Sequence, residues 1–111
     1  MKQFLIKYSF KGASEAQWQR DIAAFIESLG GDPELKGKIG YRCMKRSGGA
    51  DYYHLATPVD EEAVAVLQSR EFFKRYTELT RLAGGGEVEV IPLEVIAETG
   101  RTNELAPGAA G

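Results

Sequence analysis

The order in which hydrophobic periodicity changes along this chain restricts its fold more than any other feature. Alternation of period two comes first, then helical spacing, then two further alternating stretches, helical spacing again, and a last alternating stretch. A β-α-β-β-α-β order within 111 residues predicts one four-stranded antiparallel sheet with two helices on one face, an α+β domain.

The elements follow from particular residues. Phe4, Ile6, Tyr8 and Phe10 alternate with Gln3, Leu5, Lys7 and Ser9 and mark the first strand. After the Lys11-Gly12-Ala13 turn, Ser14 offers an N-cap and Gln17 completes a capping box. Trp18, Ile22, Phe25, Ile26 and Leu29 then form one apolar stripe, with Gly30-Gly31 as a left-handed exit before Asp32-Pro33. Ile39–Arg46 and Asp51–Thr57 read as a hairpin around Ser47-Gly48-Gly49-Ala50. Setting Arg46 opposite Asp51 brings opposite charges together and places Cys43 across from His54 and Arg42 across from Leu55.

Thr57 as N-cap and Pro58 at the first helical position open the next segment. Its apolar side runs through Val64, Leu67, Phe72 or Phe73, Tyr76, Leu79 and Leu82. The spacing drifts at Gln68-Ser69-Arg70, where Ser69 is placed to cap a second segment, so one continuous helix and two short helices with a break are both open there. Gly84-Gly85-Gly86 is a turn into the last strand, which Pro92 is expected to divide, leaving a C-terminal strand arm over Leu93–Thr99. Residues 1–98 are read as a single domain, and 99–111, rich in Gly and Ala and without periodicity, as a disordered tail.

Composition narrows the function classes. A net charge of −2 gives no electrostatic reason to bind nucleic acid or an anionic membrane. The single Cys43 and single His54 leave no internal disulfide and too few soft ligands for a transition-metal site, so no metal is expected. The N-terminal MKQFLIKYSF lacks a signal-peptide core and no run is apolar for ~18 residues, so the expectation is a cytoplasmic protein.

With the element order, the stretch DYYHLATPVDEEAVAVLQSREFFKRY and the final GGEVEVIPLEVIAET in view, residues Lys2 to Glu98 resemble the dimeric α+β barrel superfamily, within it the antibiotic-biosynthesis-monooxygenase-like proteins. The features that carry the likeness are Tyr52-Tyr53, Asp60-Glu61-Glu62-Ala63, Gln68-Ser69-Arg70 and Phe72-Phe73. The resemblance implies a ferredoxin-like domain whose sheets pair face to face in a homodimer, the last strand reaching to the neighbour. It implies a cofactor-independent monooxygenase, or a related isomerase, acting on a small planar aromatic or quinol-like molecule. The chain departs from the pattern at two points: Leu67-Gln68 stands where many members have a histidine, and Ala56 where many have a glutamate.

His54, the only imidazole, is the candidate catalytic residue, as general base or hydrogen-bond donor. Alternatives make it an activator of a Cys43 thiolate or an axial ligand to haem. Tyr8, Tyr41, Tyr52 and Tyr76 offer aromatic walls with hydroxyl tips suited to a flat organic ligand, whereas Trp18, Phe25 and Phe73 are read as core. Arg42 shares a strand face with Met44, Tyr53 and Leu55, and burial there would require an anionic partner, a substrate or a neighbouring subunit's glutamate. The competing reading is a non-enzymatic ligand-binding or dimeric assembly protein whose aromatic residues only fill core and interface.

Overall fold

The structure, a computed structural model, describes residues 2–99. The tail expected to be disordered therefore lies, but for Thr99, outside the described residues. Strands β1 (Lys2–Ser9), β2 (Ile39–Lys45), β3 (Asp51–Pro58) and β4 (Glu89–Glu94) form one antiparallel sheet in the order β2-β3-β1-β4. Helices α1 (Glu15–Gly31), α2 (Glu61–Ser69) and α3 (Glu71–Ala83) complete the β-α-β-β-α-β order, its second helical unit broken in two. This is a ferredoxin-like α+β fold.

The hairpin register is the one the opposed charges demand. Cys43 pairs with His54 and Arg42 with Leu55, while the Arg46 guanidinium lies 3.8 Å from the Asp51 carboxylate. Alternation then sorts the side chains. Tyr8, Tyr41, Tyr52 and His54 share the face that meets the helices, where Trp18, Ile22, Phe25 and Leu29 of α1 and Tyr76 of α3 complete the core. Leu5, Arg42, Met44, Tyr53 and Leu55 take the opposite, helix-free face.

Four local expectations are corrected. Gly30 and Gly31 are not a left-handed exit: both remain in α1, and the chain leaves through Asp32 in an extended conformation. Thr57 and Pro58 do not start a helix, because they still pair with Gly40 and Ile39 at the end of β3; Asp60 is the N-cap, its carboxylate accepting from the Ala63 amide at 2.8 Å. The break between α2 and α3 falls where the spacing drifts, but Ser69 does not cap α3, since its hydroxyl donates to the Val66 carbonyl. Arg70 fixes the junction instead, donating to Asp32 at 2.8 Å and also to Glu34, and this pairing holds the Asp32 carboxyl below its usual range. Finally, Pro92 does not divide the last strand. It sits opposite Phe4 within a continuous β4, an edge strand where a missing N–H leaves no ladder bond unmade. Pairing ends at Glu94, so no strand arm follows over residues 95–99.

The Gly84-Gly85-Gly86 turn bears directly on the interior. Gly85 and Gly86 adopt positive φ, and a Cβ on Gly84 would approach Val88 at 2.8 Å and the Tyr8 Cβ at 3.0 Å. Only glycine lets this turn lie so close to the strand that carries Tyr8.

Candidate functional site

Five elements each send one polar aromatic side chain to a single point in the core. Those side chains are Tyr8 from β1, Trp18 from α1, Tyr41 from β2, His54 from β3 and Tyr76 from α3. Each arrives there for the same reason, an inward position on its strand or helix stripe. His54 is fully buried, at 0 % exposure, and both of its ring nitrogens are engaged. Nε2 lies 2.7 Å from the Tyr8 hydroxyl, which also accepts from Trp18 Nε1 at 2.8 Å. Nδ1 lies 2.5 Å from the Tyr41 hydroxyl and 3.1 Å from that of Tyr76, and the two phenols are 3.0 Å apart.

The rings around the network fix its geometry. Phe25 stacks flat on Tyr76, with centroids 3.8 Å apart, and Trp18 lies nearly parallel to Tyr76 at 5.8 Å. Tyr52 stacks on Tyr8 at 5.4 Å. This enclosure sets the protonation states. Burial pushes the His54 pKa down to about 4, so the imidazole is neutral at physiological pH. Burial also raises the Tyr8, Tyr41 and Tyr76 phenols well above their ordinary value, so all three stay protonated.

An apolar cavity of about 430 Å³ opens between the sheet and the helices α2 and α3. Phe4, Ile6, Val64, Leu67 and Phe73 supply its walls, and Tyr41 and Tyr76 belong to its lining. His54 is not among its lining residues, and it is linked to that lining through its contacts with Tyr41 and Tyr76. The volume suits a small flat molecule, and the lining is mostly carbon, with the polar side chains of Tyr41, Gln68, Tyr76, Thr77, Thr80 and Arg81 among it.

The structure thus brings together His54, Tyr8, Tyr41 and Tyr76, and it places Tyr52 and Arg42 elsewhere. The Tyr52 hydroxyl donates to Glu15 at 2.6 Å and accepts from Gln19, and none of the three residues lines the cavity. Arg42 is exposed on the helix-free face, because the alternation that turns Tyr41 and Cys43 inward turns it outward. Burial raises the Cys43 thiol to about 11, and both nitrogens of His54 face tyrosine oxygens, so the pair is no thiolate–imidazole nucleophile. The same occupancy leaves no imidazole nitrogen free to act as an axial haem ligand. Trp18 is the member that periodicity hides. Its stripe position says core, and only the need of a buried indole N–H for an acceptor points to a polar partner.

No family model and no curated protein matches the sequence. Solved structures do match. SnoaB, a cofactor-independent oxygenase from Streptomyces nogalater, superposes with a TM-score of 0.72 at 14% identity, covering 90% of this chain and 97% of that one. A putative antibiotic biosynthesis monooxygenase from Caulobacter crescentus gives 0.72 at 10% identity, covering 86% and 90%. The chain has the antibiotic-biosynthesis-monooxygenase-like fold. Rv0793 from Mycobacterium tuberculosis shares it, with a TM-score of 0.71 at 10% identity over 87% of this chain and 96% of that one. Identities this low carry the architecture and no residue roles.

Proposed function

We propose that the chain binds a small planar, quinol-like molecule in the cavity, with a ring oxygen against Tyr41 and Tyr76, and oxygenates it without a cofactor. The observation that carries this reading is an apolar cavity lined by Tyr41 and Tyr76, two protonated phenols that both bond a buried neutral imidazole. The fold, shared with a cofactor-independent oxygenase, supports it. In such a reaction an ionised substrate gives an electron to O2, the two radicals join at carbon, and the peroxide loses water to leave a ketone. The chain's residues would orient the substrate, exclude water and donate hydrogen bonds to its oxygen as negative charge develops.

His54 serves this scheme as an anchor and not as a base. An imidazole with a pKa near 4 takes a proton poorly, so the substrate gives its proton to solvent and enters the cavity as an anion that the two phenols hydrogen-bond. That same low basicity favours a second reading, a binding protein that holds such a molecule without turning it over. Oxygen uptake with a panel of quinols separates the two. The enzyme reading expects uptake that falls roughly 10²-fold in Tyr76→Phe, the usual loss for one oxyanion donor. Saturable quinol binding with no uptake would establish the binding protein instead.

The helix-free sheet face is proposed as the contact between two copies of this chain. Leu5, Tyr53 and Leu55 lie on it beside Met44, which is 41% exposed. Such an apolar sheet face is a liability for a monomer. Light scattering should give twice the chain mass for the wild type and the single-chain mass for Leu55→Asp, with unchanged circular dichroism. A wild-type protein of single-chain mass would remove the dimer.

A further inference from the structure

Two members of the buried aromatic cluster, Tyr8 and Trp18, do not line the cavity, and the oxygenation proposed above gives them no task. With Tyr52 they complete a line of oxidisable rings that leads from the cavity to the protein surface. Tyr41 and Tyr76, which line the cavity, have ring centroids 6.0 Å apart. Trp18 lies 5.8 Å from Tyr76, Tyr8 lies 6.2 Å from Trp18, and Tyr52 stacks on Tyr8 at 5.4 Å. No step exceeds 6.2 Å, so an electron can pass from ring to ring without a long gap. At the longest step the Trp18 Nε1–H also donates to the Tyr8 oxygen at 2.8 Å, which ties the two rings directly.

A phenol that loses an electron becomes a strong acid, and a positive charge left in a dry core is costly. The vacancy therefore settles where the phenolic proton has an acceptor. His54 offers one in mid-line. A neutral imidazole has one bare nitrogen in either tautomer, and each nitrogen faces a phenol oxygen, Tyr8 at Nε2 and Tyr41 and Tyr76 at Nδ1. Burial disfavours the imidazolium this would create, so the stop there is brief. The outer end is different. The Tyr52 hydroxyl donates to the Glu15 carboxylate at 2.6 Å, and Glu15, half-buried, pairs with Lys45 at 2.8 Å. Hydrogen bonds from Lys45 and from Tyr52 hold the Glu15 carboxyl below its usual range, so it is ionised at neutral pH. Proton transfer to Glu15 cancels a charge beside solvent instead of creating one in the core.

We propose that Tyr41 and Tyr76, Trp18, Tyr8 and Tyr52 form a one-electron relay that draws oxidising equivalents out of the cavity to Tyr52, where a reductant in solution quenches them. The oxidant is an organic peroxyl radical, the class formed when a substrate carbon radical escapes pairing and meets O2. It takes one electron from Tyr76 or Tyr41 and becomes a peroxide anion. Trp18, Tyr8 and then Tyr52 each give an electron to the ring before it. Tyr52 ends the sequence by breaking its O–H bond: its electron has gone inward, its proton goes to Glu15, and a neutral phenoxyl and a carboxylic acid remain. Ascorbate in solution returns one electron to the phenoxyl, Glu15 returns the proton, and the ascorbate loses its own proton to water. The relay goes beyond the oxygenation, since any radical oxidant in the cavity would start it.

Light can start it without a substrate, which keeps the test separate from quinol turnover. Trp18 is the single tryptophan, so a flash at the red edge of the indole band, where phenols do not absorb, photoionises this ring alone. The indolyl absorption should decay as a phenoxyl absorption rises. Electron paramagnetic resonance of the frozen product should place the phenoxyl on Tyr52, with that signal lost in Tyr52→Phe and in Tyr8→Phe. Glu15→Gln tests the proton's destination without touching the core. An amide still accepts the Tyr52 hydrogen bond but takes no proton, so the folded variant should lose the Tyr52 phenoxyl. The cavity end is read with a flat photo-oxidant, an anthraquinone sulfonate, excited where the protein does not absorb. The Tyr52 phenoxyl should form in the wild type and fall severalfold in Trp18→Phe, whereas chance oxidation at the surface would treat the two alike. An indolyl radical that decays with no phenoxyl rise overturns the relay, as does a Tyr52 phenoxyl that survives Glu15→Gln. Equal anthraquinone yields with and without Trp18, or none in either, would detach the line from the cavity and overturn it as well.

Discussion

Acidification from neutral pH to pH ~4 is expected to destabilise the protein by about 3 kcal/mol through His54 alone. The sign follows from where the proton goes. In the unfolded chain the imidazole has its ordinary pKa of 6.5, while burial lowers it to about 4 in the fold. Between those values the unfolded state binds more protons, so acid favours unfolding. The contribution is complete above 6.5, declines as pH falls below it, and is spent once pH passes below about 4. The network resists protonation as well. An imidazolium would carry a hydrogen on Nε2 as well as Nδ1, so the Tyr8 oxygen would face that hydrogen beside the Trp18 N–H and its own hydrogen would have no acceptor among the described residues. Carboxylates such as Asp32, whose pKa is lowered chiefly by the Arg70 hydrogen bond, shift stability in the same direction, so the comparison must be differential. Urea midpoints across this pH range for wild type and His54→Gln provide it. The variant should lose much less stability on acidification than the wild type. Parallel curves would mean that His54 titrates in the fold as it does in water.

The element order and hairpin register were legible in the sequence because each rests on local chemistry. Alternation places His54 and Tyr41 on one face wherever β2 and β3 pair, and the Arg46–Asp51 charges select the pairing. The convergence of Tyr8, Tyr41 and Tyr76 on His54 was legible only as a shared face, since distances between elements depend on packing that no spacing encodes. Tyr52 shows the limit. It lies two residues from His54 and on the same face, yet the strand rise carries its hydroxyl to Glu15 and Gln19 instead of the cavity. Trp18 failed in the other direction, because a helical apolar stripe looks the same whether or not its indole donates a hydrogen bond. The misplaced caps have a common cause. Thr57-Pro58 and Ser69 carry the right side chains for helix starts, but ladder pairing claims the first pair and a bond back to Val66 claims the second. Local propensity yields where tertiary partners are available.

Phe25→Ala is expected to cost about 3–5 kcal/mol, a large share of the 5–15 kcal/mol that holds a domain of this size together. Phe25 is buried at the meeting of α1 with α3 and β2, flat against Tyr76 and edge-on to Tyr41 at 5.1 Å, with Phe72 and Phe73 beside it. Truncation removes the wall that both cavity-lining phenols lean on. Tyr76 can then tilt into the vacated space, lengthening its contacts of 3.0 Å to Tyr41 and 3.1 Å to His54. The effect should therefore divide between stability and the site: a lower urea midpoint, and broadened imidazole resonances even under conditions where the variant is folded. Phe25→Leu, which keeps most of the volume, separates the two contributions. It should cost less than about 1.5 kcal/mol, yet it lacks the flat face on which Tyr76 stacks, so the imidazole signals should still respond. A Phe25→Ala loss below about 1 kcal/mol would show that the stack bears little of the core. Sharp, unshifted His54 signals in both variants would show that the hydrogen bonds alone hold the phenols at the cavity, and the aromatic enclosure would then have no part in shaping the site.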